Sequence, residues 1–265
     1  MESSLWFSVL LILGVSRLST ANDELPGEET LKGILFTGYD NTVAPMKPLA
    51  LSVSFYPHKV VDVNTDDGLI TVDFLLSQVW QDLRLAWDPN EFNATDQNII
   101  VSRKMVFLPD MELLNGFATE LVSDPEVVVN ANGGVHYEPY VRAEVYCDLP
   151  ARPFEGHICY VRVGPWSRSD SRIQIKILKV EDSEVQPGGQ CTLGESHAMV
   201  ESKIYPCCPD QQYENAILAL NVSCLPGPAG SNSASNSAVG GYHVFPYFFV
   251  APIYIVLHSI TGLFG

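Results

Sequence analysis

The chain has 265 residues and a formal net charge of −16 at pH 7, with 31 acidic residues against 15 basic ones. This length is enough for one large domain between the two apolar ends. The negative charge argues against a nucleic-acid-binding face, which needs basic residues, and it would attract cationic ligands over long range. We therefore expect no nucleic acid among the partners of this protein.

The N-terminal segment has the pattern of a secretory signal peptide. Its apolar run ends at Val15 and is too short to span a membrane, and the small residues at positions 19–21 form a cleavage pattern. Glu2 stands where a positive charge is usual. We predict that residues 1–21 direct secretion and that residues 22–225 form the folded domain.

Strand patterns dominate the folded part of the chain. The helix signal comes first, at residues 26–36, where Leu31, Ile34 and Leu35 share one face. Alternating apolar residues then predict strands at positions 51–55, 71–74, 160–163 and 172–180. Residues 127–137 are typical of a hairpin that turns at Asn-Gly-Gly. Because no helix alternates with the strands, we expect a sandwich rather than a parallel sheet.

The cysteines indicate disulfides and a capped loop. All six follow residue 146, as expected of disulfides in an exported chain. Cys207 and Cys208 are adjacent, and their Cα atoms lie only about 3.8 Å apart, whereas an ordinary disulfide spans roughly 4.4–6.8 Å. A bond between them would stiffen a loop tip rather than close a long loop. Tyr205 and Tyr213 flank this tip, which suggests a flap that caps a ligand.

Hairpin geometry predicts a second disulfide. In an antiparallel hairpin centred on Cys207 and Cys208, the numbers of opposed residues add up to 415, and Cys191 and Cys224 meet this condition. We therefore expect these two to bond at the hairpin base, although a bulge or a different pairing would break the register. The two remaining cysteines, Cys147 and Cys159, bracket eleven residues and form the third predicted bond.

Five features in chain order resemble the extracellular ligand-binding domain of the Cys-loop receptors. Within that family, the likeness is to nicotinic acetylcholine receptor α-type subunits and the acetylcholine-binding proteins, and it runs from about residue 28 to residue 224. The features are the tryptophan-bearing strand at 79–89, the Phe-Leu-Pro-Asp motif at 107–110, the loop at 147–159, Gly-Pro-Trp at 164–166 and the flap at 205–213. The resemblance implies an all-β fold: an N-terminal α-helix and a ten-stranded, twisted, immunoglobulin-like sandwich, assembled as a pentameric ring.

The resemblance also implies a ligand site at each subunit interface, under the flap. On the principal face, Trp166, Tyr205 and Tyr213 match the aromatic box that holds a quaternary ammonium by cation–π attraction. The vicinal cysteines cap this box. Leu114 replaces the tyrosine that usually follows the Leu-Pro-Asp motif.

The complementary face departs further from the family pattern. Leu75 replaces a common tryptophan, while Val128, His136 and Glu138 fall where this face touches the ligand. Glu138 would either favour a cation or point to solvent. We expect these four side chains to line the second half of the site.

Four other residues match the family but are expected to be structural. Arg162 and Asn215 occupy the positions of a basic–acidic pair that couples to the flap tyrosine in receptors, and Asn215 has lost the charge. Trp80 and Trp87 lie in the tryptophan-bearing strand and are expected in the core.

The predicted function is binding rather than catalysis. The sequence has no nucleophile–histidine–acid set, no Gly-rich phosphate loop and no zinc-ligand spacing, so we expect no enzyme activity, cofactor or metal. We predict an acetylcholine-binding-protein-like homopentamer, without its own ion channel, that binds acetylcholine or a related cationic amine. The alternative is a ligand-poor structural or modulatory ectodomain, or a subunit of a hetero-pentamer, because Leu75 and Leu114 remove two box aromatics.

The C-terminal segment suggests attachment to a membrane. Residues 226–243 are a linker rich in Ser, Asn and Gly, and residues 244–265 are apolar to the end. This pattern is typical of a glycolipid (GPI) anchor signal, with a single membrane helix or a truncated receptor as alternatives. The sequons at Asn93 and Asn221 predict glycosylation. We expect a protein that is secreted or held on the extracellular face of the plasma membrane.

Overall fold

The computed structural model describes residues 27–92, 97–123, 125–167, 169, 172–187 and 189–226. The chain divides into two compact units, residues 1–227 and 228–265, and the second lies wholly outside the described residues. The signal peptide, the sequon at Asn93, and residues 227–265 of the linker and tail also lie outside them and stay predictions. Within the described ranges, no helix has the length and apolar character needed to cross a bilayer.

The described residues form one α-helix and thirteen strands. The helix α1 spans Glu28–Phe36, and short 3-10 helices lie at Leu83–Leu85 and Arg103–Met105. The strands are β1 Leu49–Asn64, β2 Leu69–Gln81, β3 Asn98–Val101, β4 Met111–Leu113, β5 Gly116–Ser123, β6 Val127–Asn130, β7 Gly134–Tyr137, β8 Tyr140–Tyr146, β9 Phe154–Pro165, β10 Ile173–Val180, β11 Cys191–Leu193, β12 His197–Ile204 and β13 Gln212–Cys224.

Two sheets make the sandwich that the sequence predicts. In the eight-stranded sheet the order is β10-β1-β2-β7-β6-β3, with β8 paired to β2 and β5 paired to β8. In the five-stranded sheet the order is β11-β13-β9-β4, with β12 also paired to β13. The strand count exceeds the expected ten because short interruptions, such as residues 194–196 between β11 and β12, divide longer strands. Of the described pairings, β1–β10 is parallel and the others are antiparallel.

The helix α1 packs through fewer residues than its sequence predicts. Glu28 and Glu29 lie in its first turn, where negative charge suits the helix dipole. Leu31 is fully buried and Leu35 packs against the core. Ile34, on the same helix face, is 58 % exposed, because this short helix offers only a narrow stripe to the core.

Apolar side chains from both sheets form the core. Phe55 and Phe74 are buried on neighbouring strands with ring centroids 6.1 Å apart. Trp80 is 3 % exposed and Trp87 packs against the core, as predicted for both. Burial of such side chains contributes roughly 1.5–3 kcal/mol each, so this core supplies most of the driving force for the fold.

A buried carboxylate ties the segment after α1 to the end of β2. Asp82 is fully buried and forms a bidentate ion pair with Arg84, whose Nε and Nη2 donate at 2.9 Å and 2.7 Å. The Tyr39 hydroxyl donates to Asp82 Oδ2 at 2.7 Å and accepts the Phe107 N–H at 3.0 Å. Burial raises the pKa of Tyr39 to about 12. Phe107 opens the Phe-Leu-Pro-Asp motif, so this cluster helps to place that motif.

Two of the three predicted disulfides are present. Cys147 bonds to Cys159 with an S–S distance of 1.98 Å, and Cys191 bonds to Cys224 with an S–S distance of 2.03 Å. The numbers of Cys191 and its partner add up to 415, as predicted, but those of the β12–β13 pairs add up to 416. One extra residue in segment 194–196 shifts the register between the two regions, so a bulge coexists with the predicted bond.

The third predicted bond is not formed. Cys207 and Cys208 are separate thiols, with Cys207 exposed and Cys208 partly buried. Consecutive Cα atoms lie closer together than an ordinary disulfide requires, so the geometry of the peptide chain opposes this bond. The tip is ordered instead by two backbone hydrogen bonds, in which the Cys208 N–H donates to the Tyr205 carbonyl and the Gln211 N–H donates to the Cys208 carbonyl, both at 3.0 Å.

The hairpin predicted at residues 127–137 is confirmed. It consists of β6 and β7, with Val128 paired to His136 and Val129 paired to Val135. Gly133 in the turn has φ +82°, and a Cβ there would lie 2.6 Å from the Asp82 carbonyl oxygen. The turn therefore needs glycine both for its backbone conformation and for its close approach to β2.

This contact predicts opposite effects for two glycine-to-alanine changes. Gly133→Ala should lower the free energy of unfolding by about 1–3 kcal/mol, because it combines backbone strain with a steric clash. Gly33→Ala is the control: it lies in α1, where a Cβ meets nothing within 4 Å, and should raise stability by about 0.5–1 kcal/mol. Urea unfolding followed by circular dichroism measures both values. Equal effects of the two changes would contradict the packing described for the turn.

Candidate ligand-binding site

Trp166 and Tyr213 lie at the same end of two paired strands. Trp166 directly follows β9, and Tyr213 is the second residue of β13. The last described pair toward that end joins Ala216 and Val163, each three residues from one of the two aromatics. Trp166 is 76 % exposed, whereas a tryptophan beside a strand is usually buried. Its exposure favours a role in binding over a role in the core.

Asp110 holds the backbone around Trp166. The Asp110 carbonyl accepts the Trp166 N–H at 3.4 Å, and its carboxylate accepts the Ser167 N–H at 2.9 Å and the Ser167 hydroxyl at 2.5 Å. Strand β4 begins at the next residue, Met111, which pairs with Pro165. The sequence shows the Phe-Leu-Pro-Asp motif but does not reveal that Asp110 positions Trp166, because this role depends on a contact between residues far apart in the chain.

The flap is the β12–β13 hairpin, and it brings the two predicted tyrosines together. The rings of Tyr205 and Tyr213 meet edge to face, with centroids 5.5 Å apart. The Tyr213 hydroxyl donates to Gln211 Oε1 at 2.9 Å, which orients its ring. Lys203 Nζ lies 5.0 Å from the centroid of the Tyr205 ring, so this aromatic face already attracts a cation within the chain.

The thiols at the flap tip interact with each other and with Tyr213. The hydrogen bond with Cys207 is the largest cause of a raised pKa at Cys208. Burial, followed by the neighbouring thiols, raises the pKa of Tyr213. Both groups are therefore neutral at physiological pH.

Leu114 lies beside the strand that leads to Trp166. Its backbone N–H donates to the Arg162 carbonyl at 2.8 Å, and a Cβ at Gly164 would lie 3.1 Å from Leu114 Cδ1. The aliphatic side chain thus sits against β9, two residues before Trp166.

The acidic partner of Arg162 is Glu201 rather than residue 215. Arg162 Nη1 lies 2.5 Å from Glu201 Oε2, and this contact joins β9 to β12 across the intervening strand β13. Asn215 is 2 % exposed, and its Oδ1 has no protein hydrogen-bond partner. Sequence reasoning missed Glu201 because its proximity to Arg162 follows from the pairing of three strands.

The complementary-face residues line one groove. This groove has a volume of about 440 Å³ and is lined by Leu75, Pro125, Glu126, Val128, Asn130, His136 and Glu138. All four predicted residues of this face are among them. Strand pairing explains the arrangement, because His136 on β7 lies opposite Val79 on β2 and Val128 on β6. Glu126, just before β6, is a member of the groove that the sequence did not reveal.

The groove is acidic and its polar groups are held in place. Ser77 Oγ donates to Glu138 Oε1 at 2.6 Å, and His136 Nε2 lies 3.2 Å from Asn130 Nδ2. In the part of the chain that the structure describes, no basic side chain forms an ion pair with Glu126 or Glu138. The groove therefore presents two carboxylates that are available to a cation.

The two groups of residues belong to different sheets. Trp166, Tyr205 and Tyr213 lie on or beside strands of the five-stranded sheet, whereas the groove is built on β2, β6 and β7 of the eight-stranded sheet. The lining of the groove includes none of the principal-face aromatics. Each chain thus carries two chemically different candidate half-sites, one aromatic and one acidic.

One group of potential metal ligands is present among the described residues, but its chemistry does not suit a metal. Ligand atoms of Cys147, His157 and Cys159 lie within 4.8 Å of one another. The two cysteines are bonded to each other. Their sulfurs are therefore not thiolates, which are the form in which cysteine binds metals.

Comparison with known proteins agrees with the class that this fold and its half-sites define, an extracellular ligand-binding sandwich. Residues 28–223 match the family model for the neurotransmitter-gated ion-channel ligand binding domain. The chain therefore belongs to this family, the ligand-binding domain of the Cys-loop receptors.

Curated relatives have similar sequences over most of this chain. The acetylcholine receptor subunit alpha-type acr-15 of Caenorhabditis elegans is 26 % identical over 221 residues, which are 80 % of this chain and 46 % of the relative. Acetylcholine receptor subunit alpha-L1 of Schistocerca gregaria is 25 % identical over 206 residues, covering 70 % and 36 %. Subunit alpha-type unc-38 of C. elegans is 23 % identical over 259 residues, covering 84 % and 50 %. The chain spans half or less of the length of these relatives.

The ion pair that joins β9 to β12 predicts a small, salt-dependent coupling. Its two side chains are 33 % and 42 % exposed, so a double-mutant cycle of Arg162→Gln and Glu201→Gln should give about 0.2–1 kcal/mol in urea unfolding. The coupling should fall when ionic strength rises to about 1 M, where the Debye length is near 3 Å. Zero coupling at low salt, or a value that salt does not change, would contradict the assigned ion pair.

Proposed function

We propose that this protein binds acetylcholine or a related cationic amine at the interface between two subunits of a ring. The aromatic half-site of one subunit would face the acidic groove of the next. Two different surfaces that meet head to tail make a heterologous interface, and such an interface closes into a ring when its rotation allows. Pentamers are typical of the family, and we propose a pentamer here.

The exposure of Trp166 is the observation that carries this proposal. The side chain is 76 % exposed although its backbone is fixed by Asp110. Tryptophan is enriched at binding hot spots, where a large apolar surface becomes buried in the complex. An exposed tryptophan with a fixed backbone is suited to a cation, because its ring offers an electron-rich face. The partly buried Tyr205 and the buried Tyr213 pack against each other in the flap.

The negative charge of the chain and its similarity to acetylcholine receptor subunits support a cationic ligand. The net charge of −16 and the carboxylates of the groove would attract a cation and repel an anion. The relatives with similar sequences are named acetylcholine receptor subunits. These observations favour a small amine over other neurotransmitter classes.

The two leucines favour a second form of the same function, assembly with related subunits. Leu75 lines the groove, and Leu114 stands on the principal face, so both faces lack an aromatic that the family commonly provides. Each cation–π contact is worth about 0.5–2 kcal/mol, so an interface between identical copies should bind a quaternary ammonium weakly. A partner with an aromatic residue at the position of Leu75 would complete the box against Trp166.

We further propose an extracellular location. Two disulfides among the described residues persist in oxidising compartments and are rare in the cytosol. The signal peptide, the glycolipid-type tail and the sequon at Asn221 support the same location. Asn221 lies within β13, half-buried beside Gly194. Release from the cell surface by phospholipase C would support a glycolipid anchor, and retention would favour a membrane helix.

Removal of the exposed tryptophan tests the proposed function. Trp166→Ala should weaken the binding of a quaternary ammonium by at least about tenfold, because the largest cation–π surface is lost. Isothermal titration calorimetry of the full chain with acetylcholine measures the change. Tyr146→Ala serves as the control, because Tyr146 is also an exposed aromatic, at 58 %, but belongs to neither half-site. Equal effects of the two substitutions, or no effect of either, would contradict the proposed site.

Restoring the missing aromatics should strengthen binding. Leu75→Trp should raise the affinity for acetylcholine by about threefold to thirtyfold, which corresponds to one cation–π contact of about 0.5–2 kcal/mol. Leu114→Tyr should act in the same direction on the principal face. Competition binding against a fluorescent nicotinic ligand measures both. No gain from either substitution would show that the ligand does not lie between these two faces.

A further inference from the structure

The acidic groove contains a hydrogen-bond acceptor that cation–π binding does not need. Glu138 directly follows β7 and lines the groove together with Leu75 and Val128. A quaternary ammonium has no N–H bond and needs only an electron-rich surface. A carboxylate in the groove adds something else, a strong and directional acceptor for an N–H donor.

The Glu138 carboxylate is held but not saturated. Ser77 Oγ donates to Oε1 at 2.6 Å, and this is the hydrogen bond that the described part of the chain provides to the carboxylate. An ionised carboxylate accepts at about four lone-pair positions on its two oxygens, and Glu138 is exposed, so one protein donor leaves positions that water fills in the free subunit and that a ligand can take. Ser77 is 4 % exposed and belongs to β2, so it fixes Glu138 from a rigid element.

No cation of the chain itself competes for this acceptor. Glu138 and Glu126 form no ion pair with a described basic residue, in contrast to Asp73 and Asp82, which are paired with arginines. Two unpaired carboxylates in one groove favour a cationic guest, and desolvation by a partner subunit would strengthen the attraction. An N–H-bearing cation can donate a further hydrogen bond to Glu138, whereas a trimethylammonium group would add no donor to the one from Ser77.

The two leucines that replace aromatic residues of the box are consistent with the same kind of ligand, a cation that has N–H bonds. Leucines stand at positions 75 and 114, where the family commonly has aromatic surface that stabilises a methylated cation, and Leu75 is the one that lines the groove. Compared with the family pattern, this site therefore offers less cation–π attraction and more charge-assisted hydrogen bonding to a ligand. Such bonds are stronger than neutral ones and depend on the presence of a proton on the ligand.

We infer that this site selects protonated amines that retain N–H bonds over their fully N-methylated counterparts, with Glu138 as the acceptor that decides the choice. Ser77 acts as the positioning residue for that carboxylate. This inference rests on the proposed function, because it assumes that the groove forms one half of the interfacial site. It adds the chemical class of the ligand.

A matched pair of ligands tests the inference. Calorimetry with the full chain would compare tyramine, a primary amine, with its N,N,N-trimethyl form, which carries the same charge without N–H bonds. The native chain should bind tyramine more tightly. Glu138→Gln keeps the shape of the side chain but removes its charge. It should lower the affinity for tyramine by about tenfold and change the affinity for the trimethyl form by less than about threefold. Ser77→Ala should reduce the same preference by a smaller factor.

A charge-matched control separates hydrogen bonding from general attraction. Glu29→Gln removes one negative charge from an exposed position on α1, outside the groove, and should leave both affinities unchanged. Circular dichroism confirms that each variant is folded, and Glu138→Asp provides a second variant that keeps the charge but shortens the side chain. It should retain part of the preference for tyramine.

The outcomes distinguish the inference from the proposed function. If the trimethyl form binds more tightly than tyramine to the native chain, or if Glu138→Gln weakens both ligands equally, the inference is overturned and the proposed function stands. If neither ligand binds at millimolar concentration, the proposed function fails and the inference fails with it. A loss specific to tyramine supports both.

Discussion

The pairing of β13 with both β9 and β12 is the interaction on which the aromatic half-site depends. This pairing places Tyr213 near the end of β9 that precedes Trp166. It also brings Arg162 on β9 close to Glu201 on β12, across the intervening strand β13. Disulfides hold this unit from two sides, through Cys159 on β9 and through Cys224 at the end of β13. The flap therefore extends from a sheet that disulfides hold on two strands, with Tyr205 partly buried and Tyr213 buried at its end.

The second constraint is that the acidic half-site is built on the other sheet. Strands β2, β6 and β7 form the groove, and the turn at Gly133 holds the last two against the end of β2. The buried Asp82 links this region to the segment that carries the Phe-Leu-Pro-Asp motif. The two candidate half-sites thus lie on different sheets of one domain, and the proposed site would take one of them from each of two copies.

The sequence predicted the local features better than the contacts between distant strands. Turn residues predicted the hairpin at residues 127–137, and cysteine spacing predicted the Cys191–Cys224 bond. The bulge does not prevent this bond, because it lies between the β11–β13 and β12–β13 pairings. The partner of Arg162 and the groove residue Glu126 were missed, because neither contact has a local signal in the chain. The exposure of Ile34 was missed because periodicity does not reveal how much of a helix face is covered.

The central claim is that each ligand lies between two copies, and a complementation measurement tests it most directly. One chain would carry Trp166→Ala, which weakens the aromatic half-site, and another would carry Val128→Arg, which fills the groove. Neither chain alone should bind a cationic amine with the native affinity, whereas random co-assembly of the two should restore that affinity at about a quarter of the interfaces. Binding stoichiometry by calorimetry gives the answer. Co-assembled rings that stay without binding, or full binding by the Val128→Arg chain alone, would contradict a site shared between subunits.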